Sequence, residues 1–454
     1  MPIRSLVPIL ASLLLAVPGA AQPNVVLILA DDMSWVGTSV LMDPDRPDSR
    51  SDYHSTPSLE RLASEGMRFT DAYAPHPNCS PTRLAIQTGK SPAQLKMTDI
   101  INRNSGAFYE GHPMVPPQHI NHIPHEEVTV AELLKRHRPG YVTAHFGKWH
   151  LGGGGPGKHG YDEHSGTTSN AEGGAGPPDP KRTGSVTTRA VDFLRHRSAA
   201  REPFFMQVSY YAVHLGIHAF DETVAEFEAR PRGERHNHPG HAAMTHELDE
   251  GVGRILDELD RRGLAEDTFV IFTSDNGSYL DQGSNRVSSN APLRGQKAST
   301  WEGGVRVPLL VRGPGVNAGG VCRETVIGTD LYSTIAAMAG VRAELSPRVE
   351  GSSLLALLEN GGNGTLSRRF GPLVWHFPHY QTQKGTTPMS SIRDGGWKLV
   401  KLYETGDTHL FDLSADIAES RDMKSAEPEI AARLEKQLAS YLRAIDAPMA
   451  RMRE

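Results

Sequence analysis

The chain has 454 residues, enough for one large α/β domain and a smaller second one. Its formal net charge is −6, from 47 basic and 53 acidic side chains of mixed sign, which excludes the basic footprint of a nucleic-acid-binding protein. With 45 glycines and 32 prolines the chain is rich in loops, and long loops commonly carry binding sites.

Residues 1–21 read as a secretory signal peptide. Arg4 gives a positive start, Leu6 to Val17 an apolar stretch, and Pro18-Gly19-Ala20-Ala21 a small-residue cleavage region. A signal anchor is the competing reading, but the apolar run is short and contains Pro8. No cysteine follows it to carry a lipid, and no later segment is long and apolar enough to span a membrane. The expected location is therefore periplasmic or secreted, off the membrane once the signal is removed.

Asn24 to Ala30 is a continuous apolar run, as in a central parallel strand buried on both faces. It ends in Asp31-Asp32. This pair either caps a turn or forms part of a metal site, since ligands of open α/β sheets gather at the carboxyl ends of strands. Thr56 to Gly66 reads as a capped amphipathic helix closed by glycine.

Asn78-Cys79-Ser80-Pro81-Thr82-Arg83 leads to Thr88-Gly89-Lys90. Ser80 suits a helix cap, Pro81 the first helical position and Gly89 the far end. Cys79 is then expected just ahead of a short helix, at the positive end of its dipole. Arg83 lies about one turn further on, where it can face the same anion. Against this stands a plain reading: Cys79 is buried or pairs with Cys322, the other cysteine of the chain.

Residues 91–127 lack periodicity and read as a long surface excursion. Its His112, His119, His122 and His125 either line a substrate cleft or, since they match no metal spacing, are simply exposed, which is the expectation. Thr129 to Glu132 is a capping box. Tyr141 to Phe146 is a strand delivering Lys148 and His150, which in extended chain point the same way. Such a pair suits an anion and a proton-transfer group, or is simply polar surface. Residues 152–180 form another Gly/Pro-rich loop.

Phe204 to Tyr210 is a strand followed by His214, and Leu248, Val252, Ile255, Leu256 and Leu259 mark a core-facing helix. Thr268 to Thr273 is a second buried strand, ending in Ser274-Asp275-Asn276-Gly277. Asp31, Asp32, Asp275 and Asn276 together make a hard, all-oxygen donor set. That favours Ca²⁺, with Mg²⁺ as the second choice. Arg294 and Lys297 supply cations before Trp301-Glu302-Gly303-Gly304 and a strand from Val305 to Val311. After about residue 365 short strands separated by turns suggest an antiparallel sheet, closed by a helix over 427–445. The expected architecture is a signal (1–21), a catalytic α/β domain (22–365) and a small α+β subdomain (366–454). The α/β domain holds a large, mixed, mostly parallel sheet flanked by helices.

Cys-x-Pro-x-Arg followed by Thr-Gly-Lys resembles the signature of the type I sulfatases, of alkaline-phosphatase-like fold, with Thr82 where serine is commoner. The resemblance covers nearly all of the mature chain. It implies that Cys79 is oxidised to formylglycine by a maturation enzyme and that Asp31, Asp32, Asp275, Asn276 and position 79 hold one Ca²⁺. Arg83, Lys148, His150, His214 and Lys297 match the family's sulfate-pocket and proton-transfer positions, with Lys148, His214 and Lys297 on the substrate. In the implied mechanism a hydroxyl of the hydrated aldehyde attacks sulfur. His214, with Lys297 as a second donor, protonates the leaving alcohol, and His150 removes a proton so that the aldehyde returns. The sequence around His214 departs from the family in its prolines, which makes His218 a rival for the acid.

The implied substrate is a sulfated sugar or polysaccharide. His76, His376, His379, Tyr380 and Arg393 are candidates for outer subsites. Two alternatives remain open at this point: a phosphonate monoester hydrolase or phosphodiesterase of the same superfamily, and a glycan-binding relative without catalysis.

Overall fold

The computed structural model describes residues 22–103, 110–381 and 385–454. The expected signal at 1–21 lies outside the described residues.

The Asn24–Ala30 run is a strand, and its alternate side chains divide between two cores. Val26, Ile28 and Ala30 enter one hydrophobic cluster, while Val25, Leu27 and Leu29 enter the other. A strand buried on both faces has no polar positions to spare, which explains its unbroken apolar sequence. It lies within an eight-stranded sheet. From edge to edge the order is Gly320–Cys322, Met67–Phe69, Leu309–Arg312, Thr268–Ser274, Asn24–Ala30, Phe204–Ser209, Val142–Gly147 and Glu163–His164. Leu309–Arg312 runs antiparallel to both neighbours, and the other pairings are parallel. The sheet is thus mixed and mostly parallel, as expected.

Helices cover both faces. Phe193, Leu194, Leu248, Val252 and Ile255, from the helices Thr183–Ala200 and Pro239–Arg261, join the first cluster. Leu84, Ile86, Leu134 and Ile335, from Cys79–Thr88, Val130–His137 and Asp330–Met338, join the second. The capping box is present: Thr129 Oγ1 accepts the Glu132 N–H, and Glu132 accepts the Thr129 N–H. The Thr183–Ala200 helix has a weakly segregated sequence, and its burial is decided by packing on the sheet. The strand expected from Val305 starts only at Leu309, because Glu302–Val305 forms one helical turn.

Register brings the strand ends into line. Leu29 is level with Ser209, Ala30 with Ser274, and Gly147 with Ser209. The loops carrying Asp31, Lys148, His214 and Asp275 therefore leave the sheet together, at the carboxyl ends of its parallel strands. Backbone bonds continue the alignment, from Asp275 N–H to Ala30 O (3.2 Å), Asp31 N–H to Ala212 O (2.9 Å) and Lys148 N–H to Ser209 O (2.9 Å).

Leu373–Phe377, Met389–Asp394, Trp397–Leu402 and Thr408–Asp412 form a four-stranded antiparallel meander. The helix Pro428–Ala444 packs on it through Leu434, Leu438 and Leu442. A buried ionic network joins this sheet to the main body. Glu302 accepts from Tyr73 Oη (2.7 Å), Arg306 Nε (2.7 Å) and Lys398 Nζ (2.8 Å). Glu419 accepts the Glu302 N–H at 2.7 Å and lies 3.0 Å from Lys398. Arg306 and Arg393 both pair with Asp71. Burial alone would raise the Glu302 carboxyl, but Lys398 and Arg306 hold it down at about 2. Removing one member leaves buried charge uncompensated. Glu302→Ala is therefore expected to lower the free energy of unfolding by about 3–5 kcal/mol, measured by urea titration.

Candidate active site

The helix Cys79–Thr88 is buried on every side, although half of its side chains are polar. Each of these finds a partner inside the protein. Thr82 Oγ1 donates to His76 O (2.8 Å), Gln87 Nε2 to Gln207 Oε1 (2.8 Å) and Thr88 Oγ1 to Leu84 O (2.8 Å). Gly89 closes the helix in the left-handed conformation, as expected. The start differs from the sequence reading: Asn78, not Ser80, occupies the cap, and Cys79 is the first helical residue. The Asn78 side chain is turned outward to Asp99 (3.2 Å), while its N–H donates to His76 Nδ1 (3.1 Å). Cys79 stands within the first turn, where backbone N–H groups lack intrahelical acceptors. Cys79 and Cys322 are both free and buried, so the disulfide alternative is not formed. Burial pushes the Cys79 thiol up, against the pull of Lys148 and Lys297.

Three carboxylates, Asp31, Asp32 and Asp275, meet three cations, Arg83, Lys148 and Lys297, all six being buried. Lys148 Nζ donates to Asp31 Oδ2. Lys297 Nζ donates to Asp32 Oδ1 at 2.6 Å. Arg83 clamps Asp275 Oδ2 through Nε (3.0 Å) and Nη2 (2.8 Å), and its Nη1 donates to Lys148 O (2.7 Å). Asn276 Nδ2 donates to Asp32 Oδ1 at 2.6 Å. Burial would raise Asp31, but Lys148, His214 and Arg83 hold it well below the usual carboxylate range. Burial and the nearby Asp31 carboxylate push Asp275 up to about 7, despite Arg83.

Asp31 Oδ1, Asp32 Oδ2 and Asn276 Oδ1 are buried without a hydrogen-bond partner. Unpaired buried oxygens are costly. Ligand atoms of Asp31, Cys79 and Asp275 all lie within 4.8 Å of one another. Oxygen donors in excess of their hydrogen-bond partners, with a pair of carboxylates repelling each other, fit a hard divalent cation. The residues singled out from sequence thus fit a metal ion.

The remaining candidates surround this group. His150 follows the strand in a left-handed turn, with its ring buried among the cations; burial first, then Lys148 and Arg83, depress its pKa far below the usual value. His214 Nε2 lies 3.8 Å from Asp32 Oδ2, and its Nδ1 is 2.6 Å from Leu215 O. Burial and Lys297 bring His214 down to about 4. His218 instead lines a neighbouring groove with Pro177 and Gln282.

Other expectations fall elsewhere. His112 stacks on Tyr380, and His125 on His159. His119 meets His379 edge-on. His376 is fixed by Ser390 and Pro448, and Arg393 belongs to the Asp71 network. Two groups were not found from sequence. Lys297 Nζ lies over the Tyr279 ring, 4.8 Å from its centre. Lys181 is buried and donates to Gly216 O at 3.2 Å, tying down the loop that follows His214. Tyr279 follows the Asp275–Gly277 turn closely enough to have been suspected, whereas nothing marks Lys181 within its Gly/Pro-rich stretch.

The family model described as Sulfatase matches residues 23–341. This chain belongs to the sulfatase family. It is a sulfuric ester hydrolase of the alkaline phosphatase superfamily. A second model, described as N-sulphoglucosamine sulphohydrolase, C-terminal, matches residues 296–445. N-acetylgalactosamine-6-sulfatase of Rattus norvegicus is 32% identical over 394 residues, covering 78% of this chain and 70% of the relative. Human arylsulfatase A is 31% identical over 451 residues, covering 90% and 80%. Among solved structures, Ps i-CgsB in complex with k-i-k-neocarrahexaose is 25% identical at a TM-score of 0.75, covering 93% of each chain. The phosphonate monoester hydrolase of Agrobacterium radiobacter shares the fold at a TM-score of 0.64, with 17% identity and coverage of 95% of this chain and 100% of that one.

The donor set of this sulfatase leads to a direct measurement. Protein prepared in calcium-containing buffer and then desalted is expected to carry about one divalent cation per chain by elemental analysis. Asp31→Ala and Asp275→Ala should each lose it, together with the rise in melting temperature that added Ca²⁺ gives the unaltered protein.

Proposed function

We propose that this sulfatase hydrolyses a sulfate ester on a carbohydrate, with Cys79 acting after oxidation to formylglycine and Ca²⁺ as its metal. The observation that carries the reading is the joint placement of Cys79, three orphaned oxygens and three buried cations at the carboxyl ends of the parallel strands. Asp31, Asp32, Asp275, Asn276 and position 79 would hold the ion, which when bound draws electron density from the sulfate oxygens. The aldehyde supplies, as its hydrate, an oxygen nucleophile that a thiol does not. N-acetylgalactosamine-6-sulfatase among the relatives, and the complex of Ps i-CgsB with k-i-k-neocarrahexaose, favour a saccharide ester.

The chain's own residues then divide the work. Arg83, Lys148 and Lys297 bring fixed positive charge to a buried anion, and no reorganisation is needed because carboxylates already hold them. His214 stands nearest the opening of the site, with about a fifth of its side chain exposed, and is placed to protonate the leaving oxygen. His150, buried deeper beside the cations, is the residue placed to accept the proton released at position 79. The maturation enzyme that oxidises Cys79, a secreted or periplasmic location, and a division near residue 365 between catalytic and C-terminal parts complete the proposal. No helix among the described residues is long and apolar enough to cross a membrane.

Two outcomes are expected. Peptide mass spectrometry of active protein should show Cys79 with carbonyl oxygen in place of the thiol, and full activity with wholly unmodified Cys79 would refute the reading. A general acid matters most for a poor leaving group. His214→Ala should therefore lose about 100-fold or more in kcat/KM on a sulfated sugar, but under about tenfold on 4-nitrophenyl sulfate. Selective loss on the sugar in His218→Ala instead would move the acid to His218.

A further inference from the structure

A groove of about 580 Å³ lies beside the candidate active site. One wall continues directly from His214: Ile217, His218 and Asp221 follow it in the chain. The opposite wall continues from Tyr279, the ring beneath Lys297. It is a two-stranded hairpin in which Gln282 and Asn285 are cross-strand partners, held also by Asp281 and Arg286 at 3.8 Å. Both walls are thus extensions of elements that frame the leaving-group side. The loop of the first wall is itself tied down by Lys181, which donates to Gly216 O.

The lining is amphipathic in a particular way. Pro177, Ile217, Val224 and Val287 give apolar surface, while Gln282 and Asn285 are exposed amides with no other role in the fold described above. Sugar rings present C–H faces together with hydroxyls that both donate and accept, and amides serve both directions. Of the charged side chains lining it, two are carboxylates, Asp221 and Glu228, and one a guanidinium, Arg232, beside the imidazoles of His218 and His238. Such a wall accepts hydrogen bonds from hydroxyls and repels a second sulfate.

Resting on the carbohydrate-sulfatase reading above, we infer that this groove is a subsite for an uncharged, hydroxyl-bearing sugar adjoining the sulfated one. The substrate is then an oligosaccharide in which the cleaved sulfate is carried next to an unsulfated residue. The two parts of the ligand meet opposite demands: a cation-rich pocket for the sulfate and a slightly acidic groove for its neighbour.

The probes are built on whichever sulfated monosaccharide the protein hydrolyses fastest. It is assayed alone, linked to an unsulfated hexose, and linked to a sulfated hexose. The unaltered sulfatase is expected to favour the unsulfated disaccharide over the monosaccharide by about tenfold in kcat/KM, equivalent to about 1.4 kcal/mol. It should not favour the disulfated probe. In the double variant Gln282→Ala/Asn285→Ala the ratio of disaccharide to monosaccharide kcat/KM should fall to near one. Both positions are exposed, and a ratio measured on one preparation is insensitive to partial unfolding. Equal rates on monosaccharide and disaccharide, preference for the disulfated probe, or an unchanged ratio in the double variant would each overturn the inference and leave the sulfatase reading standing. No turnover of any sugar sulfate, with 4-nitrophenyl sulfate still hydrolysed, would overturn the carbohydrate reading and this subsite together.

Discussion

Buried charge at the ends of the parallel strands is the constraint on which the rest of this structure depends. Asp31, Asp32 and Asp275 are held away from water, and a carboxylate in that position is stable only with compensation close by. The fold supplies it from three separate directions. Arg83 comes from the helix behind the cysteine, Lys148 from the end of a neighbouring strand, and Lys297 from a loop on the far side of the ligand turn. Compensation is complete in number but not in geometry, since three oxygens remain without partners. That unmet polarity fits a hard cation.

Holding these groups in place demands close backbone packing. Gly277 directly follows the ligand pair, and its N–H donates to Gly304 O at 3.0 Å. A Cβ at Gly277 would fall 1.9 Å from Gly303 O. Gly277 is therefore a packing requirement of this turn, while Gly303 and Gly304 are required by the loop before them, since a Cβ there would fall 2.5 Å from Gly295 O and 2.0 Å from Ser299 O. Glu302 beside them anchors the same turn to Lys398 and Glu419 of the C-terminal part. The antiparallel sheet thus supports the site through a buried network, without contributing a ligand to it.

The opening of the site has a different character from its floor. The floor is ionic, fully buried and fixed by paired charges. The neighbouring groove is built from short loop extensions beyond His214 and Tyr279, polar but weakly charged. Loops carried on a fixed scaffold are where such surfaces vary most readily.

The sequence by itself determined the strands that must be buried on both faces, because apolar runs such as Asn24–Ala30 admit no other use, and the polar residues at their ends. It also marked Cys79, Arg83 and the oxygen-bearing Asp31, Asp32, Asp275 and Asn276, through local patterns that need no tertiary knowledge. The strand order, and with it the meeting of Asp31 with Asp275 across some 240 residues, was decided by pairing register. Tertiary structure also placed the cap at Asn78, because Asp99 and His76 hold that side chain and backbone from outside the helix. It separated His214 from His218, four residues apart in sequence, by placing the first beside Asp32 and the second in a neighbouring groove. Lys181 and the groove beyond Tyr279 were invisible beforehand for the same reason. Their significance lies in what stands opposite them, and a loop's path across the surface is set by the body it packs against, not by its own composition.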